Sequence, residues 1–163
     1  MDSPEKFIAN SDQLTNIFGY WPSFHDAEII KFDLWRGDVQ PEAGRYIFPV
    51  LTTQIHLWEI TPEVDDRGYL ILRHRTLATL RFHDVDSISM QGFNHQNAIF
   101  GLHFSTEDGG EGLPPWICVE FKPAFGISAK FRCCRVELLS AEPYAKLEPP
   151  NPAIHRTAPR ADG

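Results

Sequence analysis

The sequence predicts an α+β domain dominated by β-structure: a strongly curved antiparallel sheet, folded as a sandwich or partly open barrel, with one short N-terminal helix. Three observations carry this. Seven segments alternate apolar and polar residues with a period of two, as half-buried strands do. Only one stretch, near the start, has helical spacing. No helical pattern separates the strands, so the crossover connections that a parallel sheet needs are missing.

The helix comes first. Ser11 is placed as its N-cap, Leu14, Ile17 and Phe18 share one face, Asp12 suits the positive end of the helix dipole, and Gly19 is the stop. After Pro22 the chain reads as strands. Over 27–36, Ile30, Phe32 and Leu34 alternate with Lys31 and Asp33. A second strand is expected over 52–60. The third, over 68–82, is long, with Leu70, Leu72, Ala78, Leu80 and Phe82 on one face and Arg73, Arg75 and Arg81 on the other. Shorter strands are expected over 87–91, 98–104 and 116–121. A last one covers 128–139, interrupted or bulged near Cys133 and Cys134. Turn residues punctuate the pattern at 35–38, 65–68, 108–112 and Lys122-Pro123.

With 163 residues, 42% of them hydrophobic and 23% charged, the composition is that of an ordinary globular chain. One domain is expected over 1–144, followed by a proline-rich tail at 145–163 that lacks apolar periodicity and reads as disordered. The net charge is −7; the tail carries +1, so residues 1–144 carry −8. That sign argues against a nucleic-acid partner held through phosphates. No apolar run approaches the roughly 20 residues that span a bilayer. The opening MDSPEKFIANSDQL has neither a basic nor an apolar signal region, so a cytoplasmic protein with no membrane partner is expected. Cys118, Cys133 and Cys134 lie in apolar strand-like stretches and read as reduced, buried thiols rather than as a disulfide framework or zinc site.

The densest polar cluster is Trp21-Pro22-Ser23-Phe24-His25-Asp26-Ala27-Glu28. His25, Asp26 and Glu28 are residue types that bind divalent metals or move protons. On an extended backbone His25 and Asp26 point to opposite faces while Asp26 and Glu28 share one, so three groups on one ion require a turn. A structural part, capping the step from helix to strand, is the competing reading. Ser23 precedes His25 by two residues, but no Gly-x-Ser-x-Gly elbow presents its hydroxyl. The other histidines show no His-x-His or His-Glu-x-x-His spacing. The loop Gly92-Phe93-Asn94-His95-Gln96-Asn97 is rich in side chains that bond their own backbone, which suggests a structural turn first and partner recognition second. Gly109-Gly110-Glu111-Gly112 lacks the lysine and hydroxyl of a phosphate loop. Acidic groups cluster at Glu63, Asp65 and Asp66, at Asp84 and Asp86, and at Glu107, Asp108 and Glu111, where they would attract a basic partner. Trp21 and Trp116, each beside a proline, are the tryptophans expected at the surface.

At Phe18-Gly19-Tyr20-Trp21-Pro22-Ser23-Phe24-His25-Asp26-Ala27-Glu28 the chain resembles the immunity protein 50 family of bacterial polymorphic-toxin systems. Further matches are Trp58-Glu59 with 61–69, the 92–97 loop leading to Phe100-Gly101-Leu102, and Phe131-Arg132-Cys133. The likeness covers about residues 8 to 144 and leaves out the tail. It implies a cytosolic binder, made beside a toxin gene, that blocks a cognate toxin protein without catalysis. The acidic charge of the domain, not the likeness, suggests that the toxin is basic, and no metal or cofactor is expected. For such a binder the contact candidates are Trp21, Phe24, His25, Asp26, Glu28, Glu63, Asp65, Asp66, Asn94 and His95. The alternative is a small metal-binding protein or hydrolase centred on His25, Asp26 and Glu28.

Overall fold

The structure, a computed structural model, describes residues 3–37 and 48–144. The expected tail at 145–163 and the far end of the turn at 35–38 lie outside the described residues. A 3-10 turn, Pro4–Phe7, leads into β1 (Ile8–Ala9) and then α1 (Asp12–Phe18). The remaining strands are β2 (Glu28–Trp35), β3 (Val50–Val64), β4 (Leu70–His83), β5 (Asp86–Gln91), β6 (Ile99–Glu107), β7 (Trp116–Pro123), β8 (Ser128–Cys133) and β9 (Arg135–Pro143). They form a five-stranded sheet in the order β1-β9-β4-β3-β2 and a four-stranded sheet in the order β5-β8-β7-β6. All pairings are antiparallel except that of the two-residue β1 with β9. The expected β-dominated α+β fold is therefore a sandwich with one short helix, and its sheets do not close into a barrel.

The two sheets share a corner. Along β4 and β9 the ladder runs Phe82 opposite Val136 and His83 opposite Arg135. Three residues further, Asp86 of β5 faces Arg132 of β8, so no residue is gained or lost in the register. One antiparallel pair thus passes from the first sheet into the second, turning at Asp84 (φ 56°) and Cys134, whose N–H donates to the His83 carbonyl at 3.0 Å. The strand expected over 128–139 is accordingly two strands, one in each sheet. A bent pair lets both segments keep their hydrogen bonds while their apolar faces stay on the inside.

Inside, Leu51, Ile55 and Leu57 of β3 and Ala78, Leu80 and Phe82 of β4 face Val119, Phe121 and Phe131 of the other sheet. Phe82 meets Phe131 edge to face at 5.0 Å between ring centroids, and Phe32 meets Phe121 at 5.9 Å. Leu14 and Phe18 of α1 join the same core. The helix stops as expected at Gly19 (φ 80°), but Ser11 has helical angles and its hydroxyl makes no capping bond.

Two strands depart from simple alternation. In β2 the register shifts between Ile29 and Lys31, so Ile29, opposite Ile55, and Phe32, opposite Thr53, face the core together. Leu34 keeps the face of Phe32, opposite the buried Leu51, but is exposed toward the end of the strand. In β4 the core-facing run starts only at Thr76, because His74 takes φ 53° and the pairing with β3 shifts between Leu57 and Glu59. Leu70, expected on the buried face, is exposed. The outer half of the β3–β4 hairpin therefore projects beyond the core and carries Ile60, Val64, Tyr69 and Leu70 in the open. The tryptophan expectation also changes. Trp21 packs partly against the core, Trp116 opens β7 with the Arg132 guanidinium 4.7 Å from its ring, and the open one is Trp35, 57% exposed.

Candidate functional site

Opposite the shared corner, the start of β2 meets the start of β6. Glu28 and Ala98 form an antiparallel bridge. The Ile99 N–H donates to the Ala27 carbonyl (3.0 Å), and the Ile29 N–H to that of Asn97 (2.9 Å). The Asp26 N–H donates to the Ile99 carbonyl (2.9 Å). This junction brings the 21–28 segment and the 92–97 loop, about seventy residues apart in sequence, to one end of the sandwich.

Within the first segment Phe24 and Asp26 both adopt left-handed backbone angles, φ 57° and 62°. Asp tolerates that region and Phe does not, so the strained turn is sustained by burial of the Phe24 ring, which is 3% exposed. Phe24 thus belongs to the core, with Trp21 tilted against it at 5.5 Å, and its ring is not open to a partner. The turn that three converging ligands would need does exist, but it unites only two. The His25 Nδ1 lies 3.0 Å from the Asp26 carboxylate, while the Glu28 carboxylate leaves them to accept the Asn97 N–H at 2.6 Å. Ser23 Oγ accepts the backbone N–H of His25 (3.2 Å). Among the described residues no three His, Cys, Asp or Glu side chains are grouped as a metal site requires.

The 92–97 loop is held by its own side chains. Asn94 Oδ1 accepts the Gln96 N–H, and its amide donates to the Gly92 carbonyl; Asn97 Oδ1 accepts the Asn94 N–H, and its amide donates to the Asn94 carbonyl. His95 is exposed on this frame. Gly92 (φ 78°) and Gly126 (φ 77°) let two more backbones approach, since a Cβ on Gly92 would meet the Gly126 carbonyl oxygen inside van der Waals distance. The Ala124 and Phe125 N–H groups both donate to the Ala98 carbonyl at 3.0 Å. The frame carries Met90 (46% exposed), Phe93 (46%), Phe100 (53%) and Phe125 (63%), and the Phe100 ring lies 5.8 Å from that of His25. Exposed aromatic and methionine side chains grouped on one rim mark an interaction surface.

On the other side of His25 is a recess of about 220 Å³, walled by Tyr20, Ser23, His25, Trp58, Glu59 and Ile60. Tyr20 donates its hydroxyl proton to Glu59 Oε1 at 2.7 Å, and this bond to a carboxylate holds the phenol pKa above its usual range. The Trp58 indole lies 4.8 Å from the His56 ring, which stacks on Tyr144 at 3.7 Å. Burial, with Arg75 nearby, lowers the His56 pKa, and its Nε2 has no partner among the described residues. The acidic trio lies at the far tip of the same hairpin. Asp65 accepts the Arg67 and Tyr69 N–H groups at 2.9 Å and shapes the turn, Glu63 pairs with Arg73 at 2.8 Å, and Asp66 is exposed.

A broader groove of about 540 Å³ crosses the outer face of the four-stranded sheet. There Arg132 is bound to Asp86 (2.7 Å) and lies 3.6 Å from Glu107, and the guanidinium holds the Asp86 carboxyl below the usual range. The groove's charges are largely spent on each other, which leaves the aromatic end as the better candidate. Sequence reasoning found His25, Asp26, Glu28, Asn94 and His95 at that end but missed Tyr20, Trp58, Glu59, Met90, Phe93, Phe100 and Phe125. Tyr20, Trp58, Glu59, Phe93 and Phe100 lie within the motifs that carry the family likeness, but exposure of Phe100 and Phe125 leaves no mark in apolar periodicity.

The sequence model of the family described as immunity protein 50 matches residues 10–144. No curated protein and no solved structure matches the chain.

Proposed function

The chain belongs to the immunity protein 50 family, and from that premise we propose that it binds a cognate toxin domain in the cytoplasm of the producing bacterium and neutralises it by occlusion, without catalysis. The family implies a toxin partner in general; the contact surface proposed here is the aromatic end of the sandwich. The observation that carries it is the group of Met90, Phe93, Phe100 and Phe125, exposed on a frame pinned by Glu28, Asn97 and the Gly92–Gly126 contact. A rigid frame avoids the entropy of ordering loops on binding, and aromatic anchors are where interfaces concentrate their affinity. The metal or hydrolase reading has less support, since no three His, Cys, Asp or Glu side chains are grouped among the described residues.

The test is co-purification with the toxin domain encoded beside this gene, followed by titration of the Phe100→Ala, Phe125→Ala double variant. Each ring is expected to contribute about 1–2 kcal/mol to binding. Both are surface positions, so thermal stability should stay within about 0.5 kcal/mol of wild type. Unchanged affinity in the double variant would remove this surface from the proposal, and failure to bind or protect against the toxin would remove the immunity reading itself.

A further inference from the structure

The recess beside His25 joins two features that ordinary surface packing does not require together. It is lined by Trp58 and Tyr20 together with Glu59, whose side chain is only 29% exposed. Tyr20 orients that carboxylate through Oε1, while among the described residues Oε2 has His74 Nε2 at 3.5 Å. A carboxylate has about four acceptor positions, so capacity remains for a donor from outside. The strand neighbour Arg73 does not fill it, because its guanidinium is bound to Glu63 at 2.8 Å. On the far side of His25, Asp26 adds a second negative charge.

We infer that this recess receives an arginine side chain presented by the bound protein. The inference rests on the binding reading above and specifies the chemistry that this end of the molecule recognises. A guanidinium is flat and weakly hydrated; it stacks on aromatic faces while its N–H fork meets a carboxylate. Lysine would satisfy the charge but neither the fork nor the stacking. Placed beside exposed phenylalanines, the recess supplies the orientation that an apolar patch alone does not.

The experiment uses the full chain and N-acetyl-arginine-N-methylamide as the probe, with the neutral, nearly isosteric citrulline compound as control. Proton–nitrogen spectra report the indole N–H of each tryptophan, and Trp58→Phe assigns that of Trp58. The arginine probe is expected to shift the Trp58 signal saturably, with the citrulline compound at least about tenfold weaker. Glu59→Gln should abolish the response. Tyr20→Phe keeps the ring but releases the carboxylate, so it should weaken the response partially; it also preserves the test should Glu59→Gln fail to fold. Equal response to citrulline, no saturable response, or full binding in either variant overturns the inference. Because no toxin is present in this assay, a bound probe with no captured toxin would sink the immunity reading alone. Toxin capture without probe binding would sink only the recess.

Discussion

Gly126 shows how much the candidate surface depends on single atoms. Its φ of 77° lies in the left-handed region, and a Cβ there would sit 2.7 Å from Asn97 Oδ1 as well as against the Gln96 carbonyl. Gly126→Ala therefore combines a backbone penalty with overpacking and should cost about 2–4 kcal/mol. Denaturant unfolding measures that loss. The same variant should bind toxin more weakly than its folded fraction accounts for, since the 92–97 loop must move away from its frame. A midpoint within error of wild type would mean that the three backbones are not packed as described. Glu28 belongs to this account too. Its residue type suggested chemistry, yet its carboxylate ties one strand to the loop that carries the exposed rings.

At the scale of the element, the bent pair formed by β4–β5 and β8–β9 is the most informative feature. Cys133 and Cys134 straddle the corner and differ sharply: Cys133 is buried and its thiol is pushed up to about 12 by desolvation, while Cys134 is exposed. Thiolate fraction and access control alkylation, so Cys134 should react with iodoacetamide first, Cys118 more slowly, and Cys133 only on unfolding. Peptide mass spectrometry over a time course resolves the order. Native labelling of Cys133 at the rate of Cys134 would mean that the corner opens. The sequence showed an interruption here but not its meaning, because a bulge within one sheet and a passage between two have the same apolar pattern. Bulges in β2 and β4 had a similar effect, giving the core position to Ile29 instead of Ile30 and leaving Leu70 outside.

For the whole molecule, charge and shape make separate contributions. Residues 1–144 carry −8, and a field of that sign speeds encounter with a basic partner. The association rate with a basic toxin should fall as ionic strength rises from 0.01 to 0.1 M, where the Debye length contracts from about 30 to about 10 Å. Asp66 and Glu111 suit the test better than Glu63 and Asp65. The latter pair holds an ion pair and a turn, whereas Asp66 and Glu111 are exposed in loops. Asp66→Asn with Glu111→Gln should slow association in stopped-flow traces and leave dissociation almost unchanged. An association rate indifferent to salt would end the steering account while leaving the aromatic contact in place.

The sequence by itself determined the β-dominated class, the single short helix with its glycine stop, most strand positions and the two motifs that meet at the candidate surface. These follow from local rules: side-chain period, turn chemistry and caps act over a few residues. Tertiary structure alone decided that Phe24 is core while Phe100 and Phe125 are open, that Glu28 serves Asn97 rather than His25, and that Tyr20, Trp58 and Glu59 wall one recess. Such outcomes depend on which strands become neighbours. Burial and hydrogen-bond partners are properties of pairs far apart in the chain, and one register shift reassigns every side chain beyond it to the opposite face.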